Sequence, residues 1–236
     1  MSLNDPDVVR AEYASEHGLA GRKAAYRYAT GPDPRELAFE AVREAAPGRV
    51  LEVGCGEGEL AERVARELGC AVVALDQSAR MVELTQARGV DARLGDVQEL
   101  PFADGSFDCA VAAWMLYHVP DVDRALAQLA RVLCSGGRLV AVTNSAGHLR
   151  ELRELLDVEP IPSAFSAENG EAQLAANFAR VERRDAYGSI DFPDRAGAQA
   201  YVDATSGLKW EGRRLPSFDG PLRVSRAPVV FVAEKE

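Results

Sequence analysis

Short apolar runs alternate along the chain with segments in which apolar residues recur every three or four positions. The first apolar run covers residues 50–53, Leu60, Val64 and Leu68 follow at a four-residue spacing, and a second run covers residues 71–75. Such runs are typical of buried strands, and the four-residue spacing is typical of one helix face. Two strands joined by one helix pair in parallel through a right-handed crossover. The pattern therefore predicts a βαβ unit and an α/β fold.

The same alternation continues to the C-terminus, so we predict one α/β domain over residues 1–236. Further strands are predicted at 90–94, 107–112, 138–143, 179–187 and 228–233, and helices at 35–46, 78–87, 123–133, 147–157, 168–177 and 196–205. Residues 1–34 are predicted to form a helical arm or lid, residues 35–145 a ligand-binding core, and residues 146–236 a C-terminal part.

Three glycines at every second position, Gly54, Gly56 and Gly58, separate the first predicted strand from its helix. Glycine permits a tight turn and lets a ligand lie against bare main chain, and the following helix points free N–H groups toward it. Asp76 ends the second strand at the same sheet edge, where a carboxylate can accept hydrogen bonds from a ribose diol. The alternative is that Asp76 caps the next helix. This arrangement predicts a nucleotide-type site.

The residues around the glycines narrow the choice of ligand. The dinucleotide fingerprint is GxGxxG, and Glu59 occupies the position of its third glycine. The sequence contains no GxxxxGK[ST] phosphate loop. Glu52 and Glu57 flank the turn and would repel a pyrophosphate. A nucleoside ligand that carries positive charge is therefore favoured.

Composition disfavours several other classes of protein. A net charge of -10 disfavours non-specific binding to nucleic acid or to an anionic membrane. No apolar run reaches the ~18 residues of a membrane span, and residues 1–10 lack a signal-peptide apolar region, so we expect a cytoplasmic protein with no membrane partner. The cysteines form no CxxC pair and the histidines have no metal-ligand spacing, so we expect reduced thiols and no metal.

Several motifs follow the glycine turn in a fixed order. They are Asp76 and the segments 95–102, 106–108, 116–121 and 131–139. Together with residues 50–58 they resemble the class I S-adenosylmethionine-dependent methyltransferases, within them the ubiquinone/menaquinone-biosynthesis type, over residues 48–143. Cys134-Ser135 replace the basic residue and proline that usually precede the paired glycines, a departure that alters a surface turn.

The resemblance implies a Rossmann-like seven-stranded, mostly parallel sheet in the order 3-2-1-4-5-7-6, with strand 7 antiparallel and helices on both faces. It implies S-adenosylmethionine as cofactor, bound by the core, with acceptor-side elements in the C-terminal part. Physical chemistry agrees, because a sulfonium cation favours carboxylates and aromatic faces, and the methionine carboxylate needs a cation or N–H donors.

The resemblance also implies cofactor contacts at particular positions. Glu52, Gly54, Cys55 and Gly56 would form the turn under the methionine part, and Asp76 would bind the ribose hydroxyls. Gln77 and Met81 would lie near the adenine, and Asp96 would meet the adenine amine, with the Val97 main chain nearby. Trp114 would approach the sulfonium or the methionine carboxylate, and Tyr13 and Arg22 of the arm would contact that carboxylate.

Methyl transfer from a sulfonium is an in-line displacement, and positioning in a dry pocket supplies most of its acceleration. A base is needed only when the acceptor must lose a proton. His118 is the first candidate because it follows the fourth strand on the expected acceptor side, and packing of the turn after it is the alternative. Weaker candidates for the base are His17, Tyr117 and His148, and the acceptor pocket is expected to include Asn144, Trp210 and Arg213.

These observations favour a methyltransferase that acts on a small-molecule acceptor. Two alternatives remain, a protein that binds S-adenosylmethionine without turnover and a nucleic-acid methyltransferase. An enzyme that methylates an exocyclic amine would carry an Asn/Asp-Pro-Pro-Tyr/Phe motif after the fourth strand. Residues 112–115 read Ala-Ala-Trp-Met instead, so nucleic acid is not expected as a partner.

Overall fold

The computed structural model describes residue 4 and residues 25–160, 162–205, 210 and 212–236. The strands in this part of the chain are β1 Arg49–Val53, β2 Ala71–Asp76, β3 Asp91–Leu94, β4 Phe107–Ala113, β5 Leu133–Asn144, β6 Arg180–Asp185, β7 Gly188–Phe192, β8 Leu222–Arg226 and β9 Pro228–Glu234. The α-helices are α1 Pro34–Glu44, α2 Glu59–Leu68, α3 Ala79–Ala87, α4 Val122–Val132, α5 Arg150–Leu155, α6 Gly170–Ala175 and α7 Arg195–Ala204.

Seven strands form the main sheet in the order β3-β2-β1-β4-β5-β9-β6. Strands β1 to β5 pair in parallel, whereas β9 is antiparallel to both β5 and β6. The last strand can occupy this interior position because its first six residues are all buried. The Rossmann-like fold and the predicted strand order are therefore confirmed, with β9 as the seventh strand of the prediction.

The main sheet separates two apolar layers, because successive strand residues point to opposite faces. Leu51 and Val53 of β1 belong to the layer that includes Leu126 of α4. Val50 of the same strand belongs to the opposite layer, with Val42 of α1. Helices on both faces thus hold β1 firmly up to the point where the glycine turn begins.

A second, two-stranded sheet pairs β7 with β8 in antiparallel orientation. Together with α5 and α7 it encloses a third apolar cluster, which includes Leu152, Ile190, Tyr201, Trp210 and Val224. The apolar pattern of the sequence predicts no strand in either segment. Each strand has only five residues, and its partner is remote in sequence, so the local pattern carries little signal for the pair.

The predicted helical arm lies outside the described residues except for Asn4 and the stretch from residue 25 onward. The stretch that enters α1 is fastened to the small sheet. The Thr30 N–H donates to the Ser189 carbonyl oxygen at 2.8 Å. The Arg226 guanidinium donates to the carbonyl oxygens of Thr30 and Pro32 at 2.9 and 2.7 Å. This attachment brings the small sheet beside the carboxyl edge of the main sheet.

Candidate active site

A cleft of about 610 Å³ opens along the carboxyl edge of the main sheet. The ends of four neighbouring strands line it through Gly54 after β1, Asp76 in β2, Trp114 after β4 and Asn144 in β5. The chain leaves β1 toward β2 on one side and reaches β4 on the other, so the cleft lies where the strand order reverses. Open α/β sheets bind their ligands at such a point.

The glycine turn is held against the neighbouring strand by its own main chain. The N–H groups of Gly54 and Cys55 donate to the Leu75 carbonyl oxygen at 2.7 and 3.2 Å. Gly54 has a φ of 66°, and a Cβ atom there would lie 2.7 Å from the Met115 Cβ. Gly56 has a φ of 54°, but apart from its two chain neighbours a Cβ atom there would meet no described residue within 4 Å. Packing therefore requires glycine at position 54, whereas Gly56 leaves space for a ligand against the main chain.

Asp76 accepts hydrogen bonds from main chain on both sides. Its Oδ2 accepts the Gly56 N–H at 3.0 Å, and its Oδ1 accepts the Ser78 N–H at 2.9 Å. Burial raises the pKa of Asp76, and these hydrogen bonds oppose the rise. The cap of α3 is Ser78, whose hydroxyl accepts the Met81 N–H. The carboxylate of Asp76 therefore stays at the cleft wall, with lone pairs left for further donors.

Glu52 is a buried acid beside the turn, with 4% of its surface exposed. The Ala61 amide donates to it, and its Oε2 has no hydrogen-bond partner among the described residues. Burial, assisted by the charge of Asp76, raises the pKa of Glu52 to about 8. The side chain is therefore mostly protonated at neutral pH until a cation comes close to it. A buried oxygen without a partner marks a place where a ligand can donate a hydrogen bond.

The Cys55 thiol lines the cleft but is chemically inert. Its Sγ lies 3.5 Å from the Thr85 Oγ1. Burial raises the pKa of Cys55 to about 12, so the thiol stays protonated at physiological pH.

Within the described ranges, no three His, Cys, Asp or Glu side chains are grouped so that they could hold a metal ion. No helix in the same ranges is long and apolar enough to cross a membrane.

The structure brings together most of the residues that the sequence assigned to the site. The cleft is lined by Glu52, Gly54, Cys55, Gly56, Asp76, Gln77, Val97, Trp114 and His118.

Two of the expected cofactor residues do not line the cleft. Met81 is buried in α3 with 1% of its surface exposed. Asp96 lies between the lining residues Gly95 and Val97, but its Oδ1 accepts the Gln98 N–H at 2.8 Å. Tyr13, Arg22 and His17 were also predicted to contribute to the site, and they lie outside the described residues.

Two lining residues other than glycine have left-handed backbone conformations, which no sequence pattern revealed. Trp114 has a φ of 53° and Leu149 a φ of 57°. Such a conformation costs a bulky residue about 1–3 kcal/mol and is concentrated at functional sites. The Trp114 N–H donates to the Val142 carbonyl oxygen at 2.9 Å, and the Leu149 N–H donates to that of Ser225 at 2.8 Å. These bonds hold both residues at the cleft wall.

The far end of the cleft is built by residues that lie outside the segment 48–143. They are Tyr26 before α1, Asn144 at the end of β5, His148 and Leu149 between β5 and α5, and Tyr201 and Thr205 at the end of α7. Trp210 and Arg213 were also expected here, but neither is among the residues that line the cleft. The Trp210 side chain packs into the third apolar cluster, and the Arg213 guanidinium donates to the Leu156 carbonyl oxygen at 3.1 Å.

The sequence and fold are similar to those of known proteins. Residues 51–141 match a family described as "Methyltransferase domain". The uncharacterized methyltransferase Rv3342 of Mycobacterium tuberculosis is 37% identical over 167 residues, which are 67% of this chain and 63% of that protein. The demethylmenaquinone methyltransferase of Thermus thermophilus is 36% identical over 115 residues, which are 46% of this chain and 52% of that protein.

Solved structures share the fold. Phosphoethanolamine N-methyltransferase 2 of Haemonchus contortus, solved with phosphomonomethylethanolamine and S-adenosylhomocysteine, aligns with a TM-score of 0.64 at 16% sequence identity. The alignment covers 100% of this chain and 61% of that one.

Among the curated relatives, the matches span 30% to 63% of the relatives' lengths.

The fold, the glycine turn and the matched segment support a class I S-adenosylmethionine-dependent methyltransferase domain, with S-adenosylmethionine as its cofactor. The residues at the cleft fit this cofactor. The space over Gly56 allows a ligand to approach the main chain. The unpartnered Oε2 of Glu52 suits a positively charged donor, and Asp76 suits a diol. A pyrophosphate would instead meet these two acids.

Proposed function

We propose that this protein transfers the methyl group of S-adenosylmethionine to a small-molecule acceptor. The observation that carries the proposal is the meeting of three features at one end of one cleft. These are the open space over Gly56, the unpartnered Oε2 of Glu52 and the carboxylate of Asp76. The same cleft continues to Asn144 and His148, so a cofactor and an acceptor share one space. Its volume of about 610 Å³ lies within the usual range for ligand pockets, about 300–1,000 Å³.

Each residue has its own part in the proposed reaction. The bound cofactor supplies an electrophilic methyl group on a positively charged sulfur. Glu52 and Asp76 hold the cofactor end of the cleft, and Trp114 offers an aromatic face to positive charge. Tyr117 and Tyr201 line the cleft farther along and help to exclude water from the reacting atoms. The chain thus positions the cofactor and the acceptor and keeps water away from the reacting atoms.

His118 is proposed to accept a proton from acceptors that must lose one. It lies in the 3-10 turn Leu116–His118 after β4 and lines the cleft. Its main-chain N–H donates to the Met115 carbonyl oxygen at 2.9 Å, and its ring contacts that of Tyr117 with 4.4 Å between centroids. The ring contact with Tyr117 keeps the imidazole at the wall of the cleft, and a neutral imidazole has one nitrogen that can accept a proton.

Within the class, we propose membership of the ubiquinone/menaquinone-biosynthesis type. Two relatives named demethylmenaquinone methyltransferase are 36% and 40% identical over 115 and 108 residues. One named ubiquinone biosynthesis O-methyltransferase is 38% identical over 119 residues. The three matches cover 45% to 47% of this chain, which is too little to identify a particular acceptor. They therefore support the type of methyltransferase alone.

Calorimetry and mass spectrometry together test the proposal. S-adenosylhomocysteine should bind with one site per chain, and incubation with S-adenosylmethionine and a panel of metabolites should give a product heavier by one methyl group. Tight cofactor binding without a product from any acceptor would favour a binding protein without turnover. Methylation of RNA or DNA in preference to every metabolite would favour the nucleic-acid alternative.

A further inference from the structure

Gly56 lies in the glycine turn at the place where a ligand has space to approach the main chain. Glycine adopts many backbone conformations at similar energy, so the residue itself does not determine which way its peptide groups point. Contacts with other residues must therefore fix that orientation. A ligand that binds against main chain gains affinity when the orientation is fixed in advance, because ordering it on binding costs free energy.

Two side chains from one neighbouring unit make these contacts. The Asp76 Oδ2 accepts the Gly56 N–H at 3.0 Å. The Thr85 Oγ1 donates to the Gly56 carbonyl oxygen, also at 3.0 Å. Asp76 ends β2 and Thr85 lies in α3, so the β2–α3 unit holds Gly56 at both its N–H and its carbonyl group. Asp76 lines the cleft, whereas Thr85 is fully buried and is not among the lining residues.

The Thr85 hydroxyl has one proton, and its surroundings decide where that proton goes. A carbonyl oxygen only accepts, so the contact with Gly56 requires Thr85 to donate. The Cys55 Sγ lies 3.5 Å from the same Oγ1, so the thiol is the donor to the hydroxyl oxygen. A helical threonine often donates to the carbonyl group four residues earlier in its own helix, but Thr85 donates to a residue 29 positions away. The hydroxyl thus stabilises the turn rather than α3.

Helix α3 holds the glycine turn through further contacts. A Cβ atom at Gly58 would lie 2.6 Å from the Thr85 Cγ2, so the turn packs directly against this side chain. The Arg88 Nε donates to the Glu57 carbonyl oxygen at 2.6 Å. Two consecutive carbonyl groups of the turn, those of Gly56 and Glu57, therefore accept hydrogen bonds from this segment. Of the two donors, Thr85 is the one that is closed off from solvent.

We infer that Thr85 is a positioning residue for the cofactor, whose hydroxyl fixes the peptide that joins Gly56 to Glu57 in its binding orientation. A trans peptide is planar, so the Glu57 N–H points away from Thr85 when the Gly56 carbonyl group points toward it. Without the hydroxyl this peptide can rotate, and the cofactor must order it again. The inference rests on the proposed function and adds a residue that does not itself line the cleft.

Substitutions at Thr85 distinguish the role of its hydroxyl from that of its packing. Thr85→Val keeps the shape of the side chain and removes the hydroxyl, whereas Thr85→Ser keeps the hydroxyl and removes the methyl group. Calorimetry on the full chain measures the affinity for S-adenosylhomocysteine. We expect Thr85→Val to weaken it about fivefold or more, on the scale of one hydrogen bond, and Thr85→Ser to stay within about twofold of the wild type. An unchanged affinity in Thr85→Val, or an equal loss in Thr85→Ser, would overturn the inference.

Thr143→Val is the matched control. Thr143 is buried in β5, and its Oγ1 donates to the Phe165 carbonyl oxygen at 3.0 Å, the same kind of bond at the same length. Strand β4 separates β5 from β1 and its glycine turn. Both valine variants should unfold at lower urea concentration than the wild type, but only Thr85→Val should lose affinity. Equal losses of affinity in the two variants would overturn the inference, because they would show a general loosening of the fold.

Two further measurements keep the test decisive. If Thr85→Val does not fold, Thr85→Ala takes its place, since alanine is the most favourable residue in a helix. The carbonyl carbon-13 resonance of Gly56 reports on the hydrogen bond itself. It should move upfield when the hydroxyl is removed and stay near its wild-type position in Thr85→Ser and Thr143→Val. A resonance that does not move when the hydroxyl is removed would contradict the proposed role.

The wild type separates this inference from the proposed function. If S-adenosylhomocysteine does not bind to the wild type, the proposed function itself is wrong. If it binds equally well to the wild type and to Thr85→Val, the positioning role of Thr85 is wrong while the cofactor part of the proposed function stands.

Discussion

The Oδ2 of Asp76 accepts the Gly56 N–H at 3.0 Å. This hydrogen bond joins the end of β2 to the turn after β1, across the point where the strand order reverses. It aligns the acid with the open space over Gly56, so the two features that the sequence suggested separately form one binding surface.

Replacement of Asp76 tests its role in cofactor binding. Asp76→Ala should weaken the binding of S-adenosylhomocysteine by about 1–3 kcal/mol, because it removes a charged acceptor and frees the Gly56 N–H. Asp76→Asn keeps one side-chain oxygen and is the matched control, with a smaller expected loss. Calorimetry measures both dissociation constants. An unchanged constant in Asp76→Ala would exclude the proposed contact with the ribose.

Glu52 should couple cofactor binding to the release of a proton. Its pKa of about 8 in the free protein means that the side chain is mostly protonated at pH 7. A positively charged ligand beside it favours the carboxylate and lowers that pKa, so binding expels a proton. Affinity should therefore rise from pH 6 to about pH 8 and level off above it. Calorimetry at pH 7 in phosphate and in Tris should give different binding enthalpies, because the buffer takes up the released proton. Glu52→Gln should remove the part of this enthalpy difference that comes from Glu52.

The same group should make the free protein less stable as pH rises. The pKa of Glu52 is about 8 in the folded state against 4.5 for an unperturbed glutamate, so between these values the folded state binds more protons than the unfolded state. The free energy of unfolding then falls by up to about 1.4 kcal/mol per pH unit from this residue. Glu52→Gln should be more stable than the wild type at pH 8, with a smaller difference at pH 5. Urea unfolding measures this, and parallel curves for the two proteins would contradict it.

Two glycine variants should distinguish the glycine that packing requires, Gly54, from the glycine that leaves space for a ligand, Gly56. Gly54→Ala places a Cβ atom 2.7 Å from the Met115 Cβ in a left-handed conformation, so it should lower the free energy of unfolding by about 1–3 kcal/mol. Gly56→Ala places its Cβ atom more than 4 Å from the described residues other than its chain neighbours and should destabilise the chain less. Its Cβ atom enters the space reserved for the ligand, so its loss of S-adenosylhomocysteine affinity should exceed its loss of stability. Affinity equal to that of the wild type would show that the ligand lies elsewhere.

Once an acceptor is known, His118→Ala tests the proposed base. For an acceptor that must lose its proton, kcat should fall by about 10²–10⁴, while KM for the acceptor changes little. The lower limb of the pH–rate profile should disappear together with the imidazole. His118→Gln is the control, because it preserves polarity without a group that titrates near neutral pH. Unaltered turnover across pH would remove His118 from the mechanism.

The part of the fold with strong local patterns could be predicted from the sequence. Short apolar runs identified β1, β2 and β4, and the glycines and Asp76 placed the turn and the acid at one sheet edge. The position of β9 between β5 and β6 came from the family resemblance, because a solid apolar strand does not reveal its neighbours. Local sequence patterns carry information over a few residues, and they were sufficient to place the glycine turn and Asp76.

The remainder depends on contacts between distant segments. Tyr26 and Tyr201 line the same cleft, although they are far apart in the chain, and the pairing of β7 with β8 helps to set the position of α7. The left-handed backbone of Trp114 follows from main-chain packing that no residue pattern encodes. The Asp96 side chain accepts hydrogen bonds from the main chain and the side chain of Gln98, and its contact with the adenine stays a prediction.

Titration of the purified chain with S-adenosylhomocysteine and with NAD in one calorimetric experiment tests the central claim most directly. We expect S-adenosylhomocysteine to bind once per chain, with S-adenosylmethionine competing for the same site and NAD giving no binding heat. Binding of NAD without binding of S-adenosylhomocysteine would contradict the account.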